Sequence, residues 1–163
     1  MNSSDIRQQL EILLDSRHTL PYKLFAICRV LLREHPHYDW VGFYLTSPQV
    51  PRMLFLGPYE GAPTEHKQIP FGKGVCGQSA EHRKEMVVQD VAQESNYLAC
   101  SAETQAEIVW PIVIGDHYIG QIDIDSHSAH PFSEQDTELL KWLCERIKEL
   151  DGLEEFAASQ PMF

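Results

Sequence analysis

The sequence predicts an α+β domain in which a central antiparallel sheet carries helices from both ends of the chain on one face. Three observations predict it. Apolar residues recur at helical spacing near both ends, short extended runs broken by turn residues fill the middle, and strand and helix do not alternate as a parallel sheet requires. The length of 163 residues suits one hydrophobic core, and 43% apolar residues suffice to fill it. The domain is expected over residues 1–150, with 151–163 as a frayed tail.

Each element follows from local pattern. Ile6, Leu10, Leu13 and Leu14 form a helical stripe behind candidate caps at Ser3, Ser4 and Asp5, and Leu24, Phe25, Cys28, Leu31 and Leu32 form a second. Extended runs are read at 40–45, 53–56, 85–88, 107–114 and 118–125, with a short helix at 78–83. Gly57-Pro58, Gly61-Ala62-Pro63 and Gly115-Asp116 are turn signals between them, and the last joins two runs into a hairpin. Ser133 and Asp136 suit the first turn of a closing helix whose stripe is Leu139, Leu140, Leu143, Ile147 and Leu150.

Charge and composition exclude whole classes of function. Thirteen basic against 24 acidic residues leave a net charge of -11, which repels nucleic acid. The segment Met1-Asn2-Ser3-Ser4-Asp5 lacks a signal-peptide pattern, and no run reaches the roughly 18 apolar residues of a membrane span. A cytoplasmic protein is expected. Cys28, Cys76, Cys100 and Cys144 are too few and too spread for a disulfide framework, and no C-x-x-C occurs.

The period of two in Gln121-Ile122-Asp123-Ile124-Asp125 places both aspartates on one face and both isoleucines on the other. Two readings stand: a water-facing surface, or a pocket for a positively charged ligand. Glu107 opens the neighbouring apolar strand and favours the pocket, where three acids could hold an ammonium group or keep a carboxyl protonated. Cys28 and Cys144 sit in apolar stripes and read as packing residues, whereas Cys76 and Cys100 lie in loop-like sequence and are the candidates for chemistry. Gly72, Gly74 and Gly77 match G-x-G-x-x-G without the βαβ context of a dinucleotide site, so they are read as a sharp turn into the short helix. His35-Pro36-His37 and His127-Ser128-Ala129-His130 lack cysteine partners and read as surface histidines, so no metal site is expected.

Five segments together resemble the free methionine-(R)-sulfoxide reductases, single GAF-domain enzymes. They are Trp40-Val41-Gly42-Phe43-Tyr44, the run Ile69-Pro70-Phe71-Gly72-Lys73-Gly74-Val75-Cys76-Gly77, Ala99-Cys100, Glu107-Ile108-Val109, and Ile122-Asp123-Ile124-Asp125-Ser126. The resemblance implies a GAF-type fold with the pocket on the face opposite the terminal helices. It implies Cys100 as nucleophile, Cys76 as auxiliary cysteine, an acidic site of Glu107, Asp123 and Asp125, and Trp40 and Tyr44 as pocket walls. It further implies free methionine (R)-sulfoxide as substrate, no bound cofactor, thioredoxin or another dithiol as reductant, and a homodimer.

Two positions depart from the family pattern. His66 stands where the usual resolving cysteine is found, ten residues before Cys76, and Ser101 stands where aspartate is common. Recycling could therefore run through Cys76, through an external thiol, or inefficiently. A non-catalytic GAF sensor for an amino acid or other metabolite is the rival reading, and a cyclic-nucleotide site is disfavoured because acids repel phosphate.

Overall fold

The computed structural model describes residues 2–98 and 102–161. The chain runs through α1 (Ser3–Leu14), α2 (Leu20–Glu34), β1 (Trp40–Ser47), β2 (Val50–Glu60), β3 (Gln68–Pro70), α3 (Gly74–His82) and β4 (Met86–Val88). A short 3-10 turn at Val91–Gln93 precedes β5 (Ala106–Ile114), β6 (His117–Ser126), α4 (Glu134–Ile147) and α5 (Leu153–Ala158). The described strands form one antiparallel sheet in the order β3-β2-β1-β6-β5-β4.

Strand alternation divides this sheet into two apolar faces. On one, Val41, Phe43, Ile108, Ile122 and Ile124 pack with residues of α1, α2 and α4 such as Leu10, Leu24 and Leu140 in the main core. Burial of such side chains is worth about 1.5–3 kcal/mol each, so this layer dominates the stability of the fold. On the other face a smaller cluster gathers Trp40, Tyr44, Val75, Cys76, Val109 and Tyr118 beneath α3. The α+β architecture and the placing of terminal helices on one face are as the sequence predicts.

Local chemistry accounts for the boundaries. The hairpin between β5 and β6 turns in two residues, with Gly115 at φ +60°, the first central position at which a mirror-image hairpin turn requires glycine. Ser133 and Asp136 form a capping box on α4, as expected. The cap of α1 is Asn2 rather than Ser3, Ser4 or Asp5: Asn2 Oδ1 accepts from the Asp5 amide at 3.0 Å, and Asp5 is the third helical residue.

Three further differences have physical causes. Gly57-Pro58 is not a turn but lies inside β2, where the register slips by one residue against β1 between Gly42 and Tyr44. A bulge leaves the proline without a missing ladder bond. β3 is only three residues long and pairs Ile69 with Leu54, too short to show a period. In place of a frayed tail, Gly152 at φ +84° leads into α5, which buries Leu153 and Ala157 against the main core. Among the described residues no helix is long and apolar enough to cross a membrane.

Candidate active site

Register brings the acids together. In β6, Asp123 lies opposite Gly42 of β1 and Val109 of β5, while Asp125 lies opposite Trp40 and Glu107. Side chains of directly opposed residues stand about 4.5–5.5 Å apart at Cβ, so Glu107, Asp123 and Asp125 converge on one patch of the inner face. The surface reading of the aspartates is thereby excluded: Glu107 is 2% exposed, Asp123 0% and Asp125 1%.

Burying these carboxyls side by side makes ionising them together costly. Burial pushes the Glu107 carboxyl well above the usual range, and the charges of Asp123 and then Asp125 push it further, against a lowering by the Cys76 thiol. Asp123 is also raised by burial, opposed by its approach to Glu107 and Cys76. Neither Asp123 oxygen accepts a well-formed hydrogen bond among the described residues; the carboxylate instead abuts these two proton-bearing groups. The arrangement favours a proton held within the cluster, available to a basic atom that enters it.

Cys76 reaches the acids because a glycine loop turns sharply into α3. Gly72 and Gly74 have φ of +87° and +67°, and the Gly72 amide donates to the Gly77 carbonyl at 2.7 Å. Asn96 clamps the loop, accepting from the Gly74 amide at 2.9 Å and donating to the Gly72 carbonyl at 2.8 Å. The helix start then sets Cys76 Sγ 3.4 Å from Glu107 Oε1. Gln121 anchors the turn from below, donating to the Cys76 carbonyl at 3.1 Å and to the Tyr118 hydroxyl at 2.8 Å.

Aromatic rings complete the wall. Trp40 donates through Nε1 to the Ala62 carbonyl at 3.1 Å and stacks on Tyr59 with ring centres 5.4 Å apart. Tyr44 donates to the His66 carbonyl at 2.8 Å, which holds the backbone of His66 against this inner face.

Trp40, Tyr44, Cys76, Glu107, Asp123 and Asp125 thus occupy one inner face, while Cys100, with Ala99 and Ser101, lies outside the described residues. The preceding Tyr97 and Leu98 pack on the same cluster as Cys76. Cys28 and Cys144 lie in the helix-side core, where burial pushes both thiols up. Among the described residues neither histidine pair belongs to a group close enough to hold a metal ion: His35 stacks on Tyr38 with ring centres 4.2 Å apart, and His127 Nδ1 approaches Asp39 and Glu103 at 3.7 and 3.6 Å. Sequence reasoning missed Gln121, which shares the alternating face of Asp123 and could have been found by the same period. It also missed Asn96, whose role depends on a contact that no periodicity announces.

A thiol set against buried carboxyls on one inner face is the chemical arrangement that the comparisons with known proteins can be held against. A GAF-domain model matches residues 21–148. Free methionine-R-sulfoxide reductase of Saccharomyces cerevisiae is 39% identical over 110 residues, 67% of this chain and 61% of the yeast protein. The Escherichia coli protein of that name is 33% identical over 112 residues, 69% of this chain and 66% of its own length. The chain therefore spans just under two thirds of the length of each. Free methionine-R-sulfoxide reductase from Neisseria meningitidis, solved with its substrate, superposes with a TM-score of 0.86 at 30% identity, over 95% of this chain and 91% of that one. The chain belongs to the free methionine-R-sulfoxide reductase family.

Proposed function

We propose that the protein reduces the R epimer of free methionine sulfoxide to methionine, with Cys100 as the nucleophile. The observation that carries this reading is the buried trio Glu107, Asp123 and Asp125 beside an aromatic wall, within that family. Buried carboxyls suit both tasks of the reaction: an ionised one holds the substrate ammonium, and a protonated one delivers a proton.

In the proposed sequence the Cys100 thiolate attacks the sulfoxide sulfur while Glu107 protonates the departing oxygen. The hydroxyl then passes from the substrate sulfur to the Cys100 sulfur as the substrate's sulfur–oxygen bond and the transient sulfur–sulfur bond break, so methionine leaves reduced and Cys100 is left as a sulfenic acid. A second thiol then condenses with it, forming a disulfide and releasing water. Cys76 is the candidate for that thiol, with His66 at the family's usual resolving position. Thioredoxin or another dithiol reduces the disulfide by exchange. Trp40 and Tyr44 enclose the substrate's apolar portion, Asp123 and Asp125 hold its ammonium, and the enzyme works as a cytoplasmic homodimer.

Incubation with racemic free methionine sulfoxide and dithiothreitol, followed by chiral amino-acid analysis, tests the proposal. Selective loss of the R epimer is expected. Consumption of neither epimer, with either bound reversibly, would replace the enzyme by a GAF sensor. Light scattering that finds only monomer would reject the dimer.

A further inference from the structure

The geometry points to a divalent-cation site at Cys76, Glu107 and Asp123, which takes Zn2+ and, when filled, closes the pocket to substrate. The ligand atoms of these three side chains all lie within 4.8 Å of one another. In a tetrahedral zinc site with bonds of about 2.0–2.3 Å, neighbouring ligand atoms stand about 3.3–3.8 Å apart. The Cys76 Sγ to Glu107 Oε1 distance of 3.4 Å is already that of a ligand edge. The remaining edges need to close by at most about 1.5 Å.

Asp123 gives a second, separate indication. Its carboxylate is 0% exposed, and neither oxygen has a well-formed hydrogen-bond partner among the described residues. A buried carboxylate whose polar neighbours are a second carboxyl and a thiol is costly to ionise, and a cation seated between the three removes that cost. The donor set also discriminates among metals. One sulfur and two carboxylate oxygens suit zinc, whereas magnesium and calcium require oxygen alone and more of it.

Binding involves no electron transfer. The metal forms bonds to Sγ and two carboxylate oxygens, and the Cys76 thiol proton and any proton held between the acids pass to solvent. Three negative ligands on a doubly charged ion leave the site singly negative, and affinity rises with pH because protons are displaced. The metal would occupy the place assigned above to the substrate ammonium. Binding itself stands independently of the reductase reading; only the competition rests on it.

Cobalt titration of the full chain, with thiols reduced and chelator removed, reads the site directly. A thiolate-to-cobalt charge-transfer band should saturate at one equivalent, disappear on adding Zn2+, be absent from Cys76→Ser, and need about 10-fold or more cobalt in Asp123→Asn. X-ray absorption of the wild-type zinc complex, independent of any variant's folding, should show one sulfur ligand. A sulfur-free shell, or a band retained in Cys76→Ser, would overturn the proposal. Zinc should inhibit sulfoxide reduction competitively and reversibly with chelator. A protein that gives the band but reduces no sulfoxide would keep the site and lose the reductase reading; one that reduces sulfoxide without the band would do the reverse.

Discussion

Cys76 Sγ donates to Glu107 Oε1 across 3.4 Å, joining two side chains separated by 31 positions. The contact exists because the glycine loop swings the first turn of α3 over the strand on which Glu107 sits. A thiol and a proton-holding carboxyl therefore share one buried corner beneath α3.

Glu107→Gln removes the proposed proton donor but keeps the side chain's shape. We expect kcat for the R sulfoxide to fall by about 100- to 10,000-fold, with a smaller change in KM. Steady-state kinetics with dithiothreitol checks this, and an unchanged kcat would reassign the acid.

The same substitution has a signed effect on stability. Unfolded, Glu107 ionises near the usual value of about 4.3. Folded, burial and then the charges of Asp123 and Asp125 hold its proton to higher pH. The stability contributed by that proton is full below the unfolded value and is lost as pH rises through the folded one. Wild type should therefore lose stability relative to Glu107→Gln as pH increases. Urea midpoints of both proteins between about pH 4 and about pH 9 test the sign; parallel profiles would contradict it.

Asp123→Asn and Asp125→Asn each remove a carboxylate proposed to bind the ammonium. A charge-assisted hydrogen bond is worth about 1.5–3 kcal/mol, so KM should rise by roughly 10- to 150-fold per substitution. Kinetics with the amino-acid substrate and with an analogue lacking the amine separates this from a packing defect. Only the former should be affected.

Gly42→Ala tests the aromatic wall. A Cβ at Gly42 would lie 2.4 Å from the Trp40 ring and 2.7 Å from Tyr59 Cβ, so the stacked pair must part. We expect a loss of about 1–3 kcal/mol in denaturant unfolding, together with a shifted tryptophan emission.

Much of the fold and half of the site are legible in the sequence. The hairpin shows itself through Gly115-Asp116 and strict alternation, and that alternation puts Asp123 and Asp125 on one face. What pattern does not carry depends on contacts between distant segments. The run of β2 through Gly57-Pro58 depends on a bulge set by β1, and α5 depends on core contacts for Leu153 and Ala157. The approach of Cys76 to Glu107 depends on the Asn96 clamp and the Gln121 anchor. Pattern names the residues on a face, but only packing says which of them meet.

The chemistry at Cys100 is open to one direct measurement. Reduced protein is mixed with one equivalent of free methionine (R)-sulfoxide and no reductant, and methionine and thiols are counted. The account predicts one methionine per chain and Cys100 found oxidised by mass spectrometry, with no methionine from Cys100→Ser. Methionine formed at wild-type yield by Cys100→Ser would contradict it.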